Sequence, residues 1–270
     1  MTHDSFTTAL SAVTNALFLG AGVYIFGSLA RQISSRVPSP PSEMERGFSW
    51  GDAILAAVLA TWFVLNITAS ASHTVSSMRT RDLAANALFS VALLLFVALF
   101  LRFRGLNLEA LAGFSKISFG RAICTGAVLM LAAYPLIFLA DAISQQFLGR
   151  GSEKQGIVEL FNASGTLTQR ILIIVLAVAV APIAEEFLFR FFLYGVLKRY
   201  FGRLIALVAN ALLFAAVHAH LPSFAPLFVL GSCFTLAFEW SGSILVSMTM
   251  HALFNSLTLI ALAFPELFPQ

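Results

Sequence analysis

Glu185, Glu186 and Arg190 place two carboxylates and a guanidinium inside the apolar run Ala181-Pro182-Ile183-Ala184-Glu185-Glu186-Phe187-Leu188-Phe189-Arg190. An ionisable side chain at the centre of a membrane helix costs roughly 2.5 to 3.5 kcal/mol, so a cluster at that depth marks a functional site. Neighbouring helix positions point about 100° apart, so Glu185 and Glu186 face different ways. Glu186 and Arg190, four apart with the acid first, share a face. Glu186 is then the partner that neutralises Arg190, and Glu185 is left free to act on a ligand or a water. Pro182, one turn upstream, removes a backbone donor and is expected to widen the helix. Two further pairs stand one turn apart on later apolar runs, Phe214 with His218 and His251 with Asn255. A lone intramembrane histidine is ordinarily a packing hydrogen bonder. Two imidazoles, a free carboxylate, an amide and an ion pair together have the makings of hydrolytic or proton-transfer chemistry.

The elements that must position these groups are membrane helices. Mean hydropathy is +0.89, and the 270 residues are 59% hydrophobic and 11% charged. That excludes a soluble globular domain, in which about a quarter of residues are charged. Windows of about 20 apolar residues predict spans over 9–30, 51–72, 83–101, 122–143, 169–196, 204–221, 224–240 and 244–263. The expected fold is all-α, a polytopic transmembrane bundle of about eight helices. The connections at 201–203 and 241–243 are so short that the flanking helices must be antiparallel neighbours.

The formal charge of +3 reflects membrane topology, and no nucleic-acid partner is expected. Ten of the sixteen Lys and Arg residues fall after spans 1, 3 and 5: Arg31, Arg36 and Arg46; Arg102, Arg104, Lys116 and Arg121; Lys198, Arg199 and Arg203. The other side has Arg79, Arg81, Arg150, Lys154 and Arg170. The basic excess marks the cytoplasmic side and puts both termini outside. Glu239, next to Trp240 at a predicted interface, is expected to reach water. Cys124 and Cys233 lack CxxC or CxxH spacing and read as small buried hydrophobes. The first span follows no Lys or Arg, the reverse of a cleavable signal peptide, and is expected to be retained. A proline-rich linker at 35–42 is expected to be extended, and segments 106–119 and 155–162 read as amphipathic connectors.

In this order on separate spans, Glu185-Glu186-x-x-x-Arg190, Phe214-x-x-x-His218 and His251-x-x-x-Asn255 resemble the three motifs of the CPBP intramembrane proteases. This family (CAAX protease and bacteriocin-processing, also called Abi) is related to the Rce1-type prenyl-protein endopeptidases. The resemblance covers about residues 168–262 and divides the chain into N-terminal helices without motifs, 1–120, and a protease-like core, 121–270. It implies that Glu185 is the general base that activates a water, assisted by His218. It further implies that His251 and Asn255 donate hydrogen bonds to the tetrahedral oxyanion, and that Glu186 with Arg190 supports the site structurally. The implied activity is peptide-bond hydrolysis by an integral, multi-pass membrane protein. The implied partners are the lipid bilayer and a peptide or protein substrate, prenylated CaaX-type tails among the candidates.

Glu185, His218 and His251 are also the donor set of a hydrolytic zinc site with one open position. No HExxH accompanies them, so a metal-free, cofactor-free glutamate mechanism is favoured and a zinc-dependent one is the alternative. Two non-proteolytic readings remain. A carrier using the charges as a relay should show repeat symmetry, and no convincing repeat is seen. An immunity or scaffold protein of the same fold would be expected to carry degraded motifs, whereas these are complete.

Overall fold

In a computed structural model the chain is described over residues 3–36, 47–72, 80–148, 161, 164 and 166–264, and helix is the only regular structure among them. Helix α1 spans His3–Ser35, α2 Trp50–Ser72 and α3 Thr80–Phe103. The short α4 (Leu108–Ala112) precedes α5 (Phe119–Leu148). A composite stretch follows: α6 (Leu167–Val175), a π-helical turn (Leu176–Val180), α7 (Ala181–Glu186), a second π segment (Phe187–Leu193) and α8 (Tyr194–Val217). The chain ends in α9 (Phe224–Ser241) and α10 (Ile244–Ala263). The expected linker from 37 onward and the connector over 155–160 lie outside the described residues.

Among the described residues, seven helical stretches are long and apolar enough to cross a bilayer, one of them the 51 residues from Leu167 to Val217. Straight, that stretch would measure about 76 Å, more than twice the roughly 30 Å hydrocarbon core. It is not straight. Gly202 breaks it with φ 78° and ψ 170°, a conformation that glycine adopts at little cost. Beyond Gly202 the chain returns, because the Phe214 ring lies 5.4 Å from that of Phe189, which a continuous helix would hold about 37 Å away. The stretch is therefore two antiparallel crossings, as expected for 169–196 and 204–221, which makes eight among the described residues. The second of these ends sooner than expected: α8 stops at Val217, His218 caps it, and Leu221–Ser223 form a 3-10 turn.

The segments after spans 1, 3 and 5 meet the turn after span 7 at one end of the bundle. Arg36 donates to the carbonyls of Glu239 (3.1 Å) and Trp240 (2.7 Å). Glu239 Oε1 receives Lys198 Nζ at 2.8 Å and Arg203 Nε at 3.0 Å, while Tyr194 donates to Oε2 at 3.0 Å. The Glu239 side chain is only 10% exposed, so it does not reach out to water as expected. It ties spans 5 and 6 to span 7 instead. Asp52, fully buried at the start of α2, pairs with Arg104 beyond α3. Trp50 and Tyr200 rings meet at 5.1 Å.

The backbone also closes this end. Gly113, at φ 69°, lies so close to the turn after α9 that a Cβ there would sit 1.8 Å from the Gly242 carbonyl oxygen. Gly105 has a similar φ of 79° but open space around it. Gly105→Ala should therefore cost about 1 to 2 kcal/mol, the price of a left-handed side chain. Gly113→Ala should cost clearly more, because backbone must also move. Thermal unfolding of the two detergent-purified variants checks this, with the lower midpoint expected for Gly113→Ala.

Candidate active site

Glu186 and Arg190 are both fully buried, with Arg190 Nη1 3.0 Å from Glu186 Oε1 in an ion contact that lacks hydrogen-bond alignment. Two unpaired charges at this depth would each cost several kcal/mol, so the pairing is what allows either to be there. Aromatic rings complete the cage. The Arg190 guanidinium carbon lies 4.1 Å from the Phe214 ring centre and 5.1 Å from that of Phe234, close enough for cation–π attraction. Phe214, the first residue of the second motif, is thus part of the arginine's surroundings.

Glu186 has a second partner that lies far away in sequence. His251 Nδ1 is 3.0 Å from Glu186 Oε1, and since a carboxylate only accepts, Nδ1 carries the proton. The ring is thereby turned so that Nε2 faces Glu185, 3.8 Å from its Oε2. His218 is fixed in the same manner: Nδ1 donates to the Phe214 carbonyl at 2.8 Å. In the neutral ring its Nε2 is then an acceptor. Glu185 Oε2 has no hydrogen-bond partner among the described residues, while its side chain is 27% exposed.

Asn255 sits one turn below His251 and donates from Nδ2 to the Ala177 carbonyl at 2.7 Å. The local reason is the proline. In the π turn the Ala181 N–H reaches back five residues to the Leu176 carbonyl. The next bond in that register would join residue 182 to Ala177, but Pro182 has no N–H. Asn255 supplies the donor that Pro182 lacks. The widening expected at Pro182 is thus present as π-helical segments on both sides of α7, and it ties the last span to the one bearing the glutamates.

Two open cavities, of about 330 and 340 Å³, meet at Glu185 and His218. His251 and Asn255 line the second. Asn86 and Ser90, one turn apart on α3, line both, and Asn66 on α2 lines the first. These amides lie outside every motif, and sequence reading missed them. An asparagine exposed within an apolar span was the available signal. Asn66 is bonded to the Trp62 carbonyl of its own helix at 2.8 Å. Asn86 makes no hydrogen bond among the described residues.

A zinc ion would need Glu185, His218 and His251 to converge on one point. His251 Nδ1 and His218 Nδ1 donate to Glu186 and to backbone, which leaves the Nε2 of each ring able to accept a metal. Among the described residues no three His, Cys, Asp or Glu side chains are grouped so as to hold a metal ion.

Residues 167–257 match the type II CAAX prenyl endopeptidase Rce1-like family. No curated protein and no solved structure matches the chain. The matched third holds all three motifs, so the resemblance read from them stands. With it stands the coarse assignment of a membrane-embedded protease.

The buried ion pair generates a stability test. Arg190→Leu, which leaves Glu186 charged and without its cation, should destabilise by about 3 to 5 kcal/mol. Adding Glu186→Gln to it should restore part of that loss. Thermal unfolding of the two variants in detergent decides it, and equal destabilisation would argue against a charge-pairing role.

Proposed function

We propose that this chain, with its Rce1-like segment at residues 167–257, is an intramembrane endopeptidase that hydrolyses membrane-associated peptides with a glutamate-activated water and no metal. The observation that carries the reading is Glu185. Its partly exposed side chain lines two cavities that meet beside His218, while its buried Oε2, opposite His251 Nε2, has no hydrogen-bond partner among the described residues.

In this reading a water held between Glu185 and His218 Nε2 gives its proton to Glu185 as its oxygen attacks the scissile carbonyl carbon. The C=O π electrons move onto oxygen, and the resulting oxyanion needs donors already in place. His251 can donate from Nε2 only when the ring carries both protons, since Nδ1 is given to Glu186. That state sets one positive ring between Glu185 and Glu186 and balances two carboxylates against Arg190 and His251. Asn255 has one amide proton committed to Ala177 and a second to offer. Collapse of the tetrahedral intermediate expels the amine, which takes the proton back from Glu185. The family's name makes a prenylated CaaX-type tail one substrate to try. We assign the core to residues 121–270, with α2 and α3 of the N-terminal part walling the cleft.

Glu185→Gln keeps the size of the side chain and removes the base. It should lower kcat on a peptide reporter by about 100-fold to 10,000-fold with folding unchanged, and wild-type turnover would sink the assignment. A strong chelator should leave activity intact, whereas loss of activity restored by zinc would overturn the metal-free mechanism alone. Asn86, with its unoccupied amide, is assigned to holding the substrate backbone. Asn86→Leu should raise KM roughly 3- to 10-fold, the worth of about one hydrogen bond, with little change in kcat and partial recovery in Asn86→Gln.

A further inference from the structure

Helix α9 carries none of the three motifs, yet it packs against both α8 and α10 and turns one fully buried side chain, Phe234, into the ion cluster. That ring meets two groups of the cluster at once. Its centre lies 5.1 Å from the Arg190 guanidinium carbon and 5.0 Å from the centre of the His251 ring, the two rings inclined by only 31°. Phe214 meets the same two groups in another way, 4.1 Å from the guanidinium carbon and edge-on to His251 at 82°. Gly231, three residues before Phe234 on α9, leaves room for both rings. A Cβ there would stand 3.0 Å from the Phe214 ring and 3.5 Å from Arg190 Nη2.

These contacts complete what the Glu186 bond begins. A hydrogen bond at Nδ1 stops the imidazole from turning over, but it grips the ring at one atom. A ring packed nearly parallel at 5.0 Å and a second standing almost perpendicular at 5.9 Å set its tilt, and with it the direction of Nε2. Aromatic faces also attract cations, more strongly where water is excluded. Arg190 is a permanent cation, and the doubly protonated His251 that donates to an oxyanion is a second one against the same phenylalanine. We propose that Phe234, outside every motif, is a positioning residue for peptide hydrolysis, whose ring holds Arg190 and His251 together against Glu186 and keeps His251 Nε2 directed at Glu185. A phenylalanine that only filled the core would serve through its shape. One that acts through its π electrons must also respond when they are withdrawn at constant shape.

This inference rests on the catalytic reading of Glu185 and His251, and its test separates the two. In the full chain, Phe234 is replaced by mono-, di- and trifluorinated phenylalanine, which nearly keep the shape of the ring while draining its π face. On the peptide reporter kcat should fall stepwise, by about 10-fold with three fluorines, with KM and the unfolding midpoint close to wild type. The same trifluorinated residue in place of Phe238, one turn further along α9 and packed on Tyr194 instead, should leave kcat unchanged. Phe234→Leu should lower kcat at least as far and, in bilayers, move the His251 ¹⁵N signals. Wild-type kcat across the fluorine series, an equal loss at Phe238, or His251 signals indifferent to Phe234→Leu overturns the proposal. Wild-type turnover in Glu185→Gln would instead remove the catalytic reading, and the His251 signals then decide the ring contact alone: moved by Phe234→Leu, it stands, and unmoved, it falls.

Discussion

One carboxylate oxygen, Glu186 Oε1, is shared by Arg190 at 3.0 Å and His251 Nδ1 at 3.0 Å, and the rest of the site depends on that sharing. Such a group is expensive: each ion loses several kcal/mol of hydration, and mutual attraction returns that only with good geometry and further bonds. Here the aromatic rings around Arg190 and the imidazole on Glu186 provide them. The consequence is positional. With Nδ1 held, the His251 ring cannot turn, and its Nε2 stays toward Glu185. A buried ion pair that adds little net stability can in this way hold a reactive group within the tolerance that catalysis needs.

The scaffold divides into a closed end and an open one. At the closed end, ion pairs around Glu239 and the Gly113 to Gly242 approach bind loops from four spans together. At the open end, α3 and α2 pack against the glutamate-bearing span, Phe63 stacking on Phe189, and wall the cavities beside Glu185. Between the two, the π-helical segments on either side of α7 loosen the backbone register, and Pro182 frees the carbonyl that Asn255 uses. The same helix is thereby pinned to α10 at Ala177 and again at Glu186, so the two elements that carry most of the polar groups cannot slide past each other.

Much of this was legible in residue spacing. The i,i+4 rule paired Glu186 with Arg190 and separated Glu185 from them, because neighbours on one helix obey a fixed geometry. Hydropathy gave the crossings, including the two on either side of Gly202, since span length is set by the bilayer. What spacing cannot carry is contact between distant segments. The Glu186 to His251 bond joins residues on different spans, and the use of Asn255 as a surrogate donor for Pro182 needed the π register. Asn86 and Ser90 sit on a helix with no motif, where only an exposed amide in an apolar run hinted at a cavity wall. Glu239 looked like an interfacial residue reaching for water because its cationic partners lie 36 to 41 positions away.

Glu186 aims His251, and the proton on Nδ1 is the most direct reporter of that aim. Solid-state ¹⁵N NMR of histidine-labelled protein in bilayers, with the His251 signals identified by their loss in His251→Ala, reads that proton. A protonated Nδ1 whose signal moves in Glu186→Gln is the result expected. An unprotonated Nδ1, or one indifferent to Glu186→Gln, would contradict it.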